Sequence, residues 1–266
     1  RKFIEDVGKV LSKSKATIAC WAMGLTQQPN GVSVIQEVVN LLLMGGHVGR
    51  PGAGFCPVRG HSNVQGDRTV GIWEAPPVSF IEKMELGLNL TLPKEHGYDV
   101  VNAIHAMRNG DVDVFLCMGG NFLSATPDTH ATAEGLRKVG LTVQVSTKLN
   151  RSHLVTGHEA LILPCLGRTE IDIQSSGEQF VTVENSMGIV HQSRGGLQPA
   201  SGELKSEPWI VANLSNALFD NSPLNWTELS GNYDNIRDLM ERSLSGFDNY
   251  NKRVRQENGF LLPNPP

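Results

Sequence analysis

No two of the four cysteines, Cys20, Cys56, Cys117 and Cys165, stand at the C-x-x-C spacing of a metal or redox motif. Cys20 and Cys117 lie in apolar, strand-like runs, so burial is expected for those two, and the scatter suits a reducing compartment. No apolar run is long enough to span a bilayer. The longest, Val32 to Met44, is interrupted by Ser33, Gln36, Glu37 and Asn40. The opening RKFIEDVGK is too charged for a signal peptide, so a cytoplasmic location is expected. A net charge of -4 does not supply the basic face that nucleic acid requires. There is no P-loop, no G-x-S-x-G and no complete G-x-G-x-x-G after a strand, so serine-hydrolase and NAD-dehydrogenase readings find no support. The eight histidines make no metal site. His130 and Glu134 share only an i, i+4 spacing and read as surface, and His153 and His158 read as structural. Repeats and low-complexity segments are absent. So is an initiating Met, and Arg1 to Lys13 already reads as a helix with Phe3, Ile4, Val7, Val10 and Leu11 on one face. The chain is therefore expected to be a piece of something longer.

The stretch from Gly45 to Gly71 stands out, with eight glycines in 27 residues. It has no apolar period of strand or helix, and structureless segments this long in compact domains are usually functional or disordered. It also carries Arg50, Arg59, Arg68, His47 and His61. Backbone N–H groups and guanidinium forks suit phosphates and other oxyanions. Arg59 sits within Pro57-Val58-Arg59-Gly60, where it could bind a carboxylate or equally pin its own loop.

Around this stretch the pattern predicts an α/β fold. Thr17 to Met23 reads as a strand, and Gly24 to Gly31 as a polar turn. A largely buried helix follows, with Ser33 and Gln36 at capping-box spacing or Asn30 as N-cap, and it ends at Gly45-Gly46. Phe80 to Leu88 and Tyr98 to Arg108 read as helices. Val112 to Met118 is a strand ending in Gly119-Gly120-Asn121. Thr126 can cap a helix with Pro127 at its first position, running to about Val139. Leu141 to Val145 is the next strand, then a short helix near Ser152 and a strand from Ala160 to Pro164. Strand, helix, strand, helix, strand implies a parallel, dinucleotide-binding-like core, with ligands at the carboxyl ends of the strands. Those ends are Gly119-Gly120-Asn121, Ser146-Thr147-Lys148 and Pro164-Cys165-Leu166. Each has a plain reading too, as a turn or a helix cap. Short antiparallel strands are expected at Glu170 to Ile173, Gln179 to Glu184 and Gly188 to His191. Helices follow at Glu207 to Phe219 and Asn232 to Ser245, then an extended FLLPNPP tail. The expected organisation is 1–75 for the first strand and helices with the Gly-rich loop, 76–166 for the α/β unit, and 167–266 for short strands and C-terminal helices.

The run MGGHVGRPGAGFCPVRGHSNVQG, Met44 to Gly66, resembles the molybdopterin-guanine-dinucleotide oxidoreductases, in particular their formate dehydrogenase branch. Met23-Gly24-Leu25-Thr26-Gln27 is similar to that family's turn before the leucine-rich helix, and HLVTGHEALILPCLGRTEID to a later strand region. The likeness covers most of Cys20 to about Gly196. It implies a segment of a much longer oxidoreductase whose cofactor is bis-molybdopterin guanine dinucleotide with molybdenum or tungsten. The metal-ligating residue and any 4Fe-4S cysteines would lie outside this segment, so the segment alone would be inactive. By the resemblance Arg59 contacts substrate, with His61 beside it. Met23, Gly24, Thr26, Gln27, Gly60, Asn63, Gln65, Gly119, Gly120, Asn121, Ser146, Thr147 and Lys148 contact the cofactor. Expected partners are a small-molecule substrate, the remaining domains of the same polypeptide and an electron-transfer subunit. His61 replaces the branch's Gln, Cys56 an Asn and His47 an Asn, so redox chemistry at the metal carries over more safely than formate itself. Two other readings stay open: a non-catalytic scaffold relative in an electron-transfer complex, and a generic nucleotide-binding α/β module.

Overall fold

Residues 1–263 are described by the structure, a computed structural model. The chain divides into two compact units, Arg1–Ser62 and Asn63 onward.

The first unit contains α1 (Lys2–Lys13), β1 (Ile18–Trp21), α2 (Met23–Thr26), α3 (Gly31–Met44) and β2 (Gly54–Pro57). β1 and β2 pair in parallel, Ile18 opposite Gly54 through Trp21 opposite Pro57. A parallel pair needs a crossover, and α3 lies within it in sequence. Two expectations fail here. Gly45 to Gly71 is not without regular structure, since it holds β2 and, in the second unit, a short helix at Val64–Thr69. Four-residue strands and single-turn helices are too short to show a period. The helix α3 is not largely buried either: only Gly31 and Leu42 are. A two-stranded sheet offers too little surface to cover a helix that is apolar nearly all round. Its N-cap position is Asn30, but neither Asn30 nor the Ser33–Gln36 pair makes a side-chain cap. The predicted turn at 24–31 begins instead as α2.

The second unit opens with α4 (Val64–Thr69), α5 (Val78–Leu88) and α6 (Val100–Asn109). Then come β3 (Val114–Met118), α7 (Phe122–Ala125), α8 (Thr129–Leu136), β4 (Leu141–Ser146), a 3-10 turn at Arg151–Leu154 and β5 (Glu159–Pro164). β3, β4 and β5 form the parallel sheet that the alternation of strands and helices predicts, and the structure sets their order as β3-β4-β5. The predicted helix from Pro127 to Val139 is the shorter α8, with the separate turn of α7 before it, and its cap is Asp128 rather than Thr126. The Asp128 carboxylate accepts from His130 N and Ala131 N, whereas the Thr126 hydroxyl lies 2.7 Å from that of Thr132. Met107, Leu123, Leu136 and Val139 form the core on the helix side of the sheet.

Beyond the sheet lie two antiparallel pieces. β6 (Ile173–Gln174) pairs with β7 (Gly177–Glu178), and β8 (Val181–Glu184) pairs with β9 (Ile189–Ser193). Glu170 to Asp172 are not in a strand, though Glu170 makes one isolated bridge to Leu197. α9 (Glu207–Leu218), α10 (Trp226–Gly231), α11 (Tyr233–Ser243) and α12 (Tyr250–Arg253) follow, and β10 (Phe260–Leu261) pairs with β9. The anticipated tail is thus partly a strand; Asn264 to Pro266 lie outside the described residues. The main core of this unit gathers Phe180, Val190, Leu244, Phe247, Tyr250, Val254, Phe260 and Leu262. Arg237 is buried beside it, donating to Asn251 Oδ1 (2.7 Å) and Phe180 O (3.1 Å), pairing with Asp234 and stacking 4.0 Å from the Phe180 ring centroid. Among the described residues no helix is long and apolar enough to cross a membrane.

Candidate cofactor-binding strand ends

In the first unit the carboxyl ends of β1 and β2 lie side by side, because the strands are parallel and in register. Val58 N donates to Trp21 O at 2.7 Å and extends the pairing past both strands. The chain then turns from β1 into α2, while from β2 it runs on to Arg59, Gly60 and His61. Met23 and Gly60 are brought together: a Cβ on Gly60 would stand 3.5 Å from Met23 Cε. Gln27 Nε2 reaches Met23 Sδ at 3.5 Å, and Gln27 N closes the α2 turn on Met23 O at 2.9 Å. Gly24 and Thr26 are exposed on the same turn, Arg59 is half-buried and His61 is exposed.

The loop before β2 is pinned from within. His47 is buried, with Nε2 3.4 Å from Thr17 Oγ1 and Nδ1 3.0 Å from Arg50 Nη2, and the Arg50 guanidinium also donates to Lys15 O. His47 and Arg50 thus tie the loop to the start of β1.

In the second unit the predicted strand ends are joined to one another by hydrogen bonds. Gly119 N donates to Val145 O at 2.7 Å, so the turn after β3 stays attached to β4. Gly119 and Gly120 both take left-handed angles, φ 70° and 74°, a pair that only glycine adopts at little cost. Nothing lies within 4 Å of where a Cβ would project from either residue. Asn150 Nδ2 donates to Gly120 O (2.8 Å), Ser152 Oγ donates to Asn121 Oδ1 (3.0 Å) and Leu123 N donates to Ser152 Oγ (2.9 Å). At the end of β4 the Ser146 hydroxyl donates to Lys148 O at 2.8 Å, leaving the Thr147 and Lys148 side chains exposed. Cys165 N donates to Ser146 O at 3.2 Å, which joins the end of β5 to that of β4.

Asn150 and Ser152 are the residues that sequence reasoning missed. The signal was local: Asn150 accepts from Ser152 N, and His153 Nδ1 accepts from Asn150 N at 2.9 Å, a reciprocal cap spelled Asn-x-x-His. That bond also gives His153 the structural part the sequence suggested. His130 is exposed, and Glu134 pairs with Arg108 at 2.9 Å. Asn63 and Gln65 sit elsewhere in this unit. Asn63 Oδ1 accepts from Glu184 N (2.9 Å) and Nδ2 donates to Asp67 (3.0 Å), while Gln65 O accepts from the Thr69 hydroxyl (3.0 Å).

The cysteine expectation needs correcting. Cys20 is exposed and Cys117 half-buried; Cys165 is the buried one. Burial, with the nearby Glu207 and Glu170 carboxylates, pushes the Cys165 thiol up to about 11. A thiol so far from ionisation is a poor nucleophile at neutral pH.

A family profile described as molybdopterin oxidoreductase matches residues 4–217. The chain belongs to the molybdopterin oxidoreductase family. It is 53% identical over 264 residues to an uncharacterized oxidoreductase of Mycobacterium bovis, covering 99% of this chain and 34% of that protein. A putative formate dehydrogenase of Bacillus subtilis is 24% identical over 250 residues, covering 91% of this chain and 23% of that protein. A nitrate reductase of Klebsiella oxytoca is 26% identical over 263 residues, covering 96% and 28%. This molybdopterin oxidoreductase chain thus spans about a third of the length of the curated relative it matches at 53% identity. Membership implies a molybdopterin cofactor. The open glycine pair at the end of β3, beside exposed hydroxyl and ammonium groups at the end of β4, fits a phosphate-bearing arm of such a group.

Proposed function

We propose that this chain forms part of the cofactor cradle of a molybdopterin oxidoreductase and holds the guanine dinucleotide arms of the pterin at its strand ends. The observation that carries the reading is the Gly119-Gly120 pair. Two consecutive left-handed glycines with open space before them let a ligand approach the main chain closely, and neighbouring Thr147 and Lys148 add a hydroxyl and a cation. Asn150 and Ser152 hold the turn in place by bonds to Gly120 and Asn121, so little ordering is left for binding to impose. In the first unit Met23, Gly24, Thr26, Gln27 and Gly60 line the paired ends of β1 and β2. When bound, the metal pterin supplies the two-electron redox chemistry. Arg59 supplies a fixed positive charge for an anionic substrate, and exposed His61 lies two residues on. Asn63 and Gln65 hold the segment that leads away from them.

The relatives' names include formate and nitrate, both small planar oxyanions. A guanidinium suits either, so the proposal is a small oxyanion substrate with formate as the first to try. The test is calorimetric titration of this chain with guanine and adenine dinucleotides. Guanine preference is expected, with Lys148→Ala weakening binding by roughly 5- to 10-fold, as for loss of one charge-assisted contact. Equal binding of both nucleotides with no effect of Lys148→Ala would sink the cradle reading and favour a generic nucleotide module. In the full-length oxidoreductase, Arg59→Ala is expected to lower turnover by about 100- to 1000-fold, the range for loss of one preorganised donor. Unchanged turnover would remove Arg59 from the site.

A further inference from the structure

We propose that Cys20 and Cys56 form a reversible dithiol–disulfide site that cross-links β1 to β2. The two residues are register partners in a parallel pair. Register partners on adjacent parallel strands project to the same face of the sheet, and adjacent strands lie about 4.8 Å apart. That spacing falls within the roughly 4.4–6.8 Å between Cα atoms that a disulfide bridges. Both cysteines are exposed, whereas Cys117 is half-buried and Cys165 buried. Partial desolvation, then the charge and hydrogen bond of the Cys56 thiol, hold Cys20 above the ordinary thiol value.

Position gives the pair its interest. Cys20 lies three residues before Met23, and Cys56 three residues before Arg59. A bond between them would fix the two strand ends from which both of those segments leave. Disulfides that are exposed or strained are the readily reduced ones, suited to switching rather than to permanent bracing.

The oxidant is a low-molecular-weight disulfide such as glutathione disulfide. One protein thiolate attacks an oxidant sulfur, forming a mixed disulfide and releasing one small thiol. The second protein thiolate then attacks the protein-side sulfur of that mixed disulfide and expels the second small thiol. Two electrons and two protons pass to the oxidant, which leaves as two reduced thiols, and the protein gains one S–S bond.

The test equilibrates the intact chain in non-denaturing glutathione buffers of rising oxidation, alkylates free thiols and maps peptides by mass. Two of the four thiols are expected to disappear together, with a Cys20–Cys56 cross-linked peptide that dithiothreitol abolishes. Cys56→Ser is expected to leave Cys20 as a mixed disulfide with glutathione and to remove the cross-link, while Cys117→Ser leaves it in place. Three results would each overturn the proposal: glutathione adducts on both residues of the unmodified sequence without a cross-link, a cross-link formed only in denaturant, or four free thiols at a poise that oxidises a reference dithiol. The outcome is independent of whether the chain holds a pterin.

Discussion

In the first unit Leu42 is the one buried apolar side chain among the described residues, whereas the second unit gathers eight buried residues, Tyr250 among them, into one cluster. The composition of the two regions does not explain this. α1 offers Phe3 and Ile4, and α3 offers Val32, Leu41 and Leu43, yet all are exposed. In the second unit Phe247, Tyr250 and Phe260 meet at ring distances of 4.8 to 6.1 Å, because three antiparallel strands and two helices enclose them. The first unit has two strands and helices on too little sheet to enclose anything. What orders it is backbone pairing of β1 with β2 and the bonds of His47 and Arg50. Apolar burial stabilises a fold more than hydrogen bonds do once their exchange with water is counted. The two regions should therefore differ most in how much free energy opening them requires. The Met23 and Arg59 segments belong to the weakly packed region, and the Gly119-Gly120 patch to the well-packed unit.

The largest effect should come from emptying the aromatic cluster. Phe247→Ala is expected to cost about 3–5 kcal/mol, read as a fall in the urea midpoint, while Phe3→Ala in the exposed face of α1 should cost less than about 0.5 kcal/mol. Native-state hydrogen exchange gives the same contrast without mutation: amides of β1 and β2 should exchange from openings of lower free energy than those of β8 and β9. Equal protection in both regions would break the comparison.

A smaller effect tests the glycine pair. Replacing Gly120 by Ala meets no neighbour within 4 Å but keeps the left-handed angle, which costs a non-glycine residue about 1–2 kcal/mol. The loss should appear in thermal unfolding of the second unit. If Gly120→Ala is neutral, the turn relaxes freely and cannot serve as a rigid cradle.

The same contrast separates what is legible in the sequence from what is not. The parallel sheet and its three strand ends are readable, because each strand is an apolar run bounded by glycine or a cap and lies between helices that close a local core. The helix α11 is readable to within a residue or two at each end. Burial of α3 is not, because apolarity on all sides shows a need for cover, not its presence. Cys20 misleads for the same reason, its strand having one open face. The short α10 and α12 carry too few turns for a period to reveal them, and Thr126 competes as a cap because Asp128, two residues on, offers the same chemistry. At the site, Gly119-Gly120-Asn121 is legible as a turn, but Asn150 and Ser152 lie about thirty residues away in sequence. Only the pairing of β3 with β4 brings them to it.

The smallest predicted effect concerns acid. The α6 and α8 helices in the second unit are capped by carboxylates, Asp99 accepting from Val101 N and Asn102 N and Asp128 from His130 N and Ala131 N, whereas Asn30 at the start of α3 makes no such bond. Backbone donation, from Asn102 in one case and Ala131 in the other, holds both carboxyls below the usual aspartate value. A carboxyl lowered in the folded state adds stability above its unfolded value and loses it as pH falls through the folded one. Amide protection in α6 and α8 should therefore weaken as pH drops below about 4, while that of α3 holds steady. Both caps are exposed, so salt and solvent screen the gain, and the change should be modest. The double variant Asp99→Asn, Asp128→Asn keeps an oxygen acceptor at each cap but cannot titrate. It should flatten the acid dependence of α6 and α8 and leave α3 untouched. A slope that survives in the variant would assign the acid response to other carboxylates, and loss of α3 protection over the same range would show that acid does not distinguish the two units.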